Sequence, residues 1–354
     1  MRPVRRVRPL RIVTLVAIAV AVMATGALVP LWYGAARALE AGIRAWAEIP
    51  RDGVAIEIGR VAVSGFPFSL DAVVTSFAIA NAELGLRYSA EHVRVSRSIV
   101  DDATRFEVVG PQQVTLASGA SFNLDADRFD GTVRHRAGGP VAAFTLHAAG
   151  LRARVMGVPL AELQLLSLQV AVPAAAGAIP SGTEASLRIE AVTLPGQSGG
   201  PFGNMLASLV ADLELVGTID SLSLARSLPA WQQAGGRVYV SDASLLWGTL
   251  DAGDFGGTVR LDAMFRPSGS LDVTFRDPAQ TFASLAAAGW VGAPAHTALR
   301  KGIPSDPTRV LVKPYRVSLL DGRMVLDDID QDNTAPVLLW RVPALLQRRA
   351  SEVR

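Results

Sequence analysis

The sequence feature that most constrains this chain is a period-two alternation of apolar and polar side chains that recurs from residue 53 onward. Successive side chains of a β-strand point to opposite faces of a sheet, so this alternation predicts strands. The intervening positions are often strongly polar, as at Thr258, Arg260 and Asp262, which favours antiparallel sheet with one buried face. We therefore predict a mainly β fold of curved antiparallel sheets with few short helices. The clearest runs include Val54/Ile56/Ile58, Phe144/Leu146/Ala148, Leu166/Leu168/Val170/Val172, Leu187/Ile189, Leu209/Ala211/Leu213/Leu215, Val259/Leu261/Ala263/Phe265 and Leu271/Val273/Phe275.

Turn residues separate several of these runs. Asp321-Gly322 predicts a short hairpin between two apolar runs near the C-terminus. Pro267-Ser268-Gly269 predicts the turn between two of the strongest strands. Consecutive strands are therefore expected to be neighbours in the sheet.

Helix signals are few in the β-rich region. Asp277 followed by Pro278 is typical of a helix start, and Gly289 is typical of a helix end. A second short helix is expected at residues 225–234, although Pro229 interrupts its pattern.

The N-terminal segment predicts a membrane anchor. Residues 12–33 form a run of 22 residues without a charge, and a helix of that length covers the roughly 30 Å hydrocarbon layer of a bilayer. The preceding residues 1–11 contain five arginines and no acid, so the positive-inside tendency places them in the cytoplasm. Trp32 and Tyr33 lie where an aromatic belt is expected. We predict a single-pass inner-membrane protein with most of the chain in the periplasm.

Two alternatives remain open near this segment. Small residues at 24–27 offer a possible signal-peptide cleavage region, although the apolar run exceeds the usual core of about 7–15 residues. Residues 35–47 form an amphipathic pattern with Leu39, Ile43 and Trp46 at helical spacing. This helix is expected either as a stalk near the membrane surface or packed on the end of the sheet.

Composition excludes several kinds of function. Beyond residue 33 the chain contains 29 basic and 32 acidic residues, without the clustered basic face of a nucleic-acid-binding protein. The chain has no cysteine, which excludes disulfides, thiolate metal sites and cysteine nucleophiles. A chain of 354 residues can bury a core without a metal or a disulfide, so no cofactor is expected.

Composition also suggests the domain boundaries, because a Pro/Ala/Gly-rich stretch at 173–183 and an irregular stretch at 195–203 interrupt the strands. The predicted segments are a basic tail at 1–11, an anchor at 12–33, a stalk helix at 34–52, an N-terminal half of the β domain at 53–172, a loop-rich junction at 173–203 and a C-terminal half at 204–354.

Three segments together resemble a known family. They are Gly65-Phe66-Pro67-Phe68-Ser69-Leu70, the strand Leu246-Trp247-Gly248 that leads through Gly257 and Gly269 to Asp277-Pro278, and the closing Asp321-Gly322-Arg323. On these segments most of the chain beyond residue 30 resembles the bacterial envelope family called domain of unknown function 2125. The resemblance implies an anchored β domain without an assigned activity or catalytic residues. More loosely, the layout is similar to AsmA-type envelope proteins, whose curved sheets form apolar grooves linked to lipid movement, and this is a likeness of fold alone.

Motifs that suggest enzymatic chemistry lack supporting context. Residues 196–200 match the nucleophile elbow of serine hydrolases around Ser198, but prolines bracket the motif and no alternating β/α pattern accompanies it. The acidic segment 328–332 is similar to the start of a calcium loop, but Asn333 and Leu339 occupy the positions that need glycine and glutamate. The Asp101-Asp102 pair has no support for glycoside chemistry. The histidines lack metal-site spacing; they are His92, His135, His147 and His296. We predict no catalytic, cofactor-binding or metal-binding residue.

The long one-sided sheet favours a binding function. A large apolar face with few helices to cover it is typical of a binding site, so we expect a non-enzymatic periplasmic protein whose groove holds a lipid or another envelope component. The candidate groove residues are Phe66, Phe68, Trp247, Phe265 and Phe275. Phe66 and Phe68 also fit a plug against the stalk helix. The main alternative is an assembly or scaffolding factor that binds envelope proteins through its edges or through residues 338–349. A hydrolase that uses Ser198 is the third interpretation.

Overall fold

The fold is described from a computed structural model of the chain. The structure describes residues 9–51, 53–66, 69–97, 103–136, 141–172, 182–194, 202–217, 219, 224–287, 314–320, 323–326 and 338–339. For residues 9–28, 224–225, 323–324, 326 and 338–339 it describes the backbone and not the side chains.

The described residues form a mainly β structure, as the sequence predicts. The helices are α1 (Pro9–Glu48), α2 (Leu224–Gln233) and α3 (Pro278–Ala287). The strands are β1 (Val54–Glu57), β2 (Val61–Ser64), β3 (Leu70–Asn81), β4 (Leu86–Arg97), β5 (Ala103–Leu116), β6 (Ser121–Asp125), β7 (Arg128–His135), β8 (Val141–Val155), β9 (Val158–Ala171), β10 (Thr183–Thr193), β11 (Met205–Val216), β12 (Arg237–Trp247), β13 (Leu250–Leu261), β14 (Pro267–Phe275), β15 (Pro314–Leu320), β16 (Arg323–Leu326) and β17 (Leu338–Leu339).

The strands form one antiparallel sheet in which neighbours in the chain are neighbours in space. From β3 to β5 and from β7 to β17, each strand pairs with the next one along the chain. The short strands β1 and β2 both lie along β3, and β6 and β7 both lie between β5 and β8. Because β9 pairs with β10, the sheet continues across the predicted junction at 173–203, and the division into two halves stays a prediction.

Buried side chains gather in two clusters near the two ends of this sheet. The first cluster is built on β2–β4 around Val61, Val74 and Val93, and it extends to Phe106 and Val108 on β5. The second cluster is built on β13–β15 around Leu250, Ala252, Val273 and Val317, together with Phe202. Strands β6–β11 lie between them.

Helix α1 packs against the first cluster. Leu39 and Ile43 contact its apolar side chains, and the Trp32 indole Nε1 donates a hydrogen bond of 2.9 Å to the carbonyl of Ser69. The predicted helix at 35–47 is therefore the last part of α1 and packs on the end of the sheet. Where side chains are described, none of the three helices has both the length and the hydropathy required to span a bilayer. The side chains of residues 12–28 of the predicted anchor lie outside the described part.

The helix starts predicted from the sequence are confirmed. The Asp277 carboxylate accepts a hydrogen bond of 2.9 Å from the amide of Gln280, and α3 begins at Pro278. Helix α2 retains Pro229 within it and is held to the sheet by Trp231, whose Nε1 donates to the carbonyl of Val216 at 2.9 Å.

The predicted strand through Phe265 and the predicted turn at 267–269 are wrong. Strand β13 ends at Leu261, and β14 already begins at Pro267. The turn lies between them because Asp262 Oδ1 accepts hydrogen bonds from the amides of Met264 and Arg266, at 2.8 and 2.9 Å. Phe265 adopts a positive φ of 56° in this turn, which no strand residue of regular geometry does.

Candidate functional site

The central strands β8–β11 carry three cross-strand rows of apolar side chains on one face of the sheet. Residues paired directly across antiparallel strands share a face, so register defines these rows. We call this set the open apolar face. Its rows are Phe144, Val170, Ala185 and Leu213; Leu146, Leu168, Leu187 and Ala211; and Ala148, Leu166, Ile189 and Leu209.

The reverse side of the same strands is mostly polar. The row directly behind the open apolar face consists of Thr145, Gln169, Ser186 and Asp212. The charges on this reverse side include Arg188, whose Nε donates to Glu190 Oε1 at 2.6 Å. The three rows are therefore wholly apolar on one face, whereas the reverse side of the same strands carries polar and charged groups among a few apolar ones.

The open apolar face is only half-buried. Within β8–β11, which the structure describes in full, Ala148 is the only hydrophobic residue that is buried. Its neighbours Leu146, Leu168 and Leu187 retain solvent exposure because no described helix packs against this part of the sheet. A contiguous apolar surface that stays partly accessible to solvent is typical of a binding site.

The first cluster borders the open apolar face through an aromatic stack. Phe106 on β5 pairs with Gly131 on β7, which in turn pairs with Leu146 on β8. The rings of Phe106 and Phe144 stack with centroids 6.1 Å apart and planes 13° apart. The apolar face thus runs without a polar break from the first cluster into β8.

The second cluster borders the other side of the open apolar face. Leu209 on β11 pairs with Leu245 on β12, Leu245 pairs with Ala252, and Ala252 pairs with Phe275. The Phe275 ring lies 5.5 Å from the ring of Phe282 on α3, measured between centroids. One apolar face therefore extends from α1 to α3, with a helix packed at each end and no described helix packed on the three rows between them.

The comparison with known proteins decides the family. The sequence profile of domain of unknown function 2125, described as an uncharacterized protein conserved in bacteria, matches residues 32–325. The chain belongs to this family. Neither a curated protein nor a solved structure matches the chain. The looser likeness to AsmA-type proteins therefore stays a prediction.

Of the five groove residues predicted for this member of the family, the four that the structure describes do not line one groove, although Trp247 and Phe275 both pack against the second cluster. Phe66 is 43% exposed and contacts Trp32 edge-to-face at 5.6 Å beside α1, whereas Phe68 lies outside the described residues. Phe265 is buried in the turn between β13 and β14. Phe275 packs between Phe282 and Tyr315 in the second cluster.

Trp247 lies at the end of β12. Its ring contacts Phe202 at 5.7 Å, and its Nε1 donates a hydrogen bond of 2.9 Å to the carbonyl of Gly203. The tryptophan thus belongs to the second cluster and borders the open apolar face without lining it.

The sequence identified the apolar runs that form the open apolar face but not the face itself. The runs at Leu166/Leu168/Val170 and Leu187/Ile189 are parts of β9 and β10. The pairing register between strands aligns these runs, and that register cannot be read from the periodicity of a single strand.

Most of the motifs considered for enzymatic chemistry lie outside the residues that the structure describes. Residues 196–200, 328–332, Asp101, Asp102 and His296 lie outside the described residues. His92, His135 and His147 are on separate strands, and the described residues contain no group of three or more potential metal ligands.

One buried polar pair lies within the first cluster. The Tyr88 hydroxyl donates to Gln112 Oε1 at 2.7 Å, and Gln112 is buried. Burial raises the pKa of Tyr88 to about 12, because the charged phenolate would lose its hydration there. Tyr88 and Gln112 thus satisfy each other's hydrogen-bonding groups in an otherwise apolar core. With this pKa the Tyr88 hydroxyl stays protonated near neutral pH.

Proposed function

We propose that this protein is a membrane-anchored periplasmic protein whose open apolar face binds the acyl chains of a lipid. The observation that carries the proposal is the set of twelve register-aligned positions on β8–β11, all apolar, which no described helix covers. The two ends of the same face are covered by α1 and α3.

The chemistry of the face favours a hydrocarbon chain as its occupant. None of its twelve side chains can donate or accept a hydrogen bond, so binding would rest on removal of apolar surface from water. Protein interfaces combine an apolar core with polar groups that make hydrogen bonds. A long patch with no polar side chain suits an acyl chain better than a protein partner.

The dimensions of the face also suit a lipid. From β5, where the first cluster ends, to β12, where the second begins, six strand spacings of about 4.8 Å give roughly 29 Å. One leaflet of a bilayer contributes about half of the roughly 30 Å hydrocarbon layer, so an acyl chain of about 15 Å can lie on the face.

The anchor belongs to the same proposal. The uncharged residues 12–33 and the arginines before them support a cytoplasmic N-terminus and a periplasmic sheet. Leu39 and Ile43, further along α1, pack on the apolar side of the sheet. An anchored α1 would therefore hold one end of the apolar face close to the membrane.

Site-specific photocrosslinking tests the proposal. A photoreactive phenylalanine analogue at Leu187 lies on the open apolar face, and the same analogue at the adjacent Ser186 lies on the reverse side. We expect lipid adducts from position 187 and none from position 186 when the full chain is irradiated in native membranes. Equal lipid labelling at both positions, or protein adducts alone at 187, would contradict lipid binding, and the second result would favour the scaffolding alternative.

Matched charge substitutions give an independent readout. Leu168→Glu places a carboxylate on the open apolar face, whereas Gln169→Glu places one on the reverse side. Native mass spectrometry of the detergent-extracted chain should show co-purified lipid in the wild type and Gln169→Glu and its loss in Leu168→Glu. Circular dichroism verifies that both variants retain the sheet. Undiminished lipid in a folded Leu168→Glu variant would refute the proposal.

A further inference from the structure

Two arginines face each other on the polar side of the sheet near its second end. Arg237 on β12 and Arg260 on β13 are direct cross-strand partners, and both are exposed. Like charges in this arrangement repel each other and destabilise a sheet. In the part of the chain that the structure describes, neither arginine has a carboxylate within ion-pair distance. Sheet stability therefore does not explain the pair.

Arg237 and Arg260 are both among the residues that line a cavity of about 670 Å³. Its wall includes the hydroxyl-bearing residues Thr258, Ser268 and Ser270. Within the described residues these three hydroxyl groups have no hydrogen-bond partner, so their donors are available. Among the described residues, the cavity thus combines two arginines that lack an ion-pair partner with three hydroxyl groups that lack a hydrogen-bond partner.

Contacts made by two further side chains, Tyr239 and Asp262, affect how available the arginines of the cavity are to a ligand. The Arg237 guanidinium lies over the ring of Tyr239, 5.1 Å from its centroid, and this contact favours that direction of the side chain. Asp262 also lines the cavity, but Arg266 Nε donates to its Oδ2 at 2.7 Å and two backbone amides bind its Oδ1. Asp262, the one carboxylate among the described lining residues, is therefore held by the β13–β14 turn.

We propose that Arg237 and Arg260 form a binding site for a phosphate-bearing anion. Guanidinium groups match the geometry of phosphate oxygens and make charge-assisted hydrogen bonds with them, and hydroxyl groups supply further donors. The ligand class is a phosphate monoester or a phosphodiester, either free or as a lipid headgroup. Arg237 and Arg260 project from the face opposite Val238 and Val240, so the site is separate from the open apolar face and does not depend on the proposed lipid binding.

The first experiment uses inorganic phosphate as the probe. The full chain in non-ionic detergent is titrated with phosphate at constant ionic strength, and binding is measured by calorimetry and by the thermal unfolding midpoint. Arg237→Gln and Arg260→Gln should each weaken binding by about tenfold or more, because each removes a charge-assisted pair. Arg316→Gln is the matched control, since it removes the same charge from β15, where Arg316 Nε is paired with Asp272 at 3.0 Å.

The variants also separate binding from folding. Without phosphate, Arg260→Gln should unfold at the wild-type temperature or above it, because the repulsion with Arg237 is relieved. The Arg260→Gln substitution should abolish only the increase in unfolding temperature that phosphate causes in the wild type. An equal phosphate response in the wild type and in both variants, or one that chloride reproduces at the same ionic strength, would overturn the proposal.

A second experiment distinguishes the two sources of phosphate. The chain is reconstituted into phosphatidylcholine nanodiscs and mixed with vesicles of phosphatidylcholine with or without phosphatidylglycerol. Preferential binding to phosphatidylglycerol vesicles that is lost in Arg260→Gln assigns the site to a lipid headgroup. Binding of inorganic phosphate without a vesicle preference assigns it to a soluble phosphate. Neither phosphate binding nor a vesicle preference in the wild type would refute the site.

Discussion

Phe106 stacks on Phe144 across Gly131, a residue with no side chain to separate the two rings. A Cβ atom on Gly131 would clash with the carbonyl oxygen of Thr145 and with Cζ of Phe106, and it would lie 2.7 Å from Cε1 of Phe106. Gly131→Ala should therefore displace both the ring and the adjacent backbone of β8 and lower the free energy of unfolding by about 1–3 kcal/mol, the usual cost of overpacking. The urea dependence of tryptophan fluorescence measures this change.

Gly256→Ala provides the control for that substitution. Gly256 is also a strand glycine, but an added Cβ there would meet no atom within 4 Å. Its stability should stay near the wild-type value or rise by roughly 0.4–1 kcal/mol, because alanine restricts the unfolded chain. Equal destabilisation by both substitutions would show that the close contacts at Gly131, with Thr145 and Phe106, are not what makes glycine necessary there.

Tyr88→Phe should destabilise the first cluster by about 1–3 kcal/mol, because it leaves the buried oxygen of Gln112 without its donor. The paired variant Tyr88→Phe/Gln112→Leu removes both polar groups and should recover part of the loss. Thermal unfolding of the three proteins gives the comparison, and an unchanged midpoint for Tyr88→Phe would contradict the assigned hydrogen bond.

The same residue predicts an alkaline limit of stability. The pKa of Tyr88 is about 12 in the folded protein and about 10 in an unfolded chain. The folded state therefore holds the proton more tightly, so its stabilising effect is complete below about pH 10 and is lost as the pH rises toward about 12. Denaturant unfolding at increasing pH should show this decline, and Tyr88→Phe should reduce it.

Truncations should separate the covered end of the sheet from its open centre. Phe282 is 1% exposed and contacts Phe275 and Tyr315, so Phe282→Ala should cost about 3–5 kcal/mol. Leu187 is half-buried on the open apolar face, so Leu187→Ala should cost less than the about 2–5 kcal/mol of a fully buried leucine. A loss of stability at position 187 as large as that at 282 would indicate that the centre is covered.

The proposed orientation predicts the position of the C-terminus. A reporter fused after Arg354 should be active in the periplasm, because the arginines of residues 1–11 favour the cytoplasm. Replacement of those five arginines with neutral residues should weaken the orientation. Activity of the same fusion in the cytoplasm would contradict the anchor.

Local chemistry explains which parts of the fold the sequence predicts. Asp277 and Pro278 define the start of α3 without help from the rest of the chain, since an N-cap acts on amides a few residues away. The alternation at Leu187 and Ile189 likewise reflects one sheet face and one strand.

The predictions of the strand through Phe265 and of the turn at 267–269 are wrong because side-chain hydrogen bonds override the alternation of apolar and polar residues there. Asp262 sits in an unbroken alternation with Phe265 but folds the backbone back by accepting two amides, and periodicity does not reveal that choice. The site was harder to predict than the strands. Leu146, Leu168 and Leu187 form one surface only because of the register between three strands. Arg237 and Arg260 likewise lie opposite each other because of the register between β12 and β13.

The order of the strands has a consequence for how the chain acquires its structure. Apart from the short strands β1, β2, β6 and β7, each described strand completes its pairing with the strands just before and just after it. Loop closure between such neighbours is inexpensive in entropy, so the sheet can grow one strand at a time from the N-terminus. A chain that emerges gradually during synthesis or translocation would always hold a finished sheet with one growing edge. Truncation from the C-terminus would then shorten the sheet strand by strand, much as the loss of terminal units shortens a repeat protein.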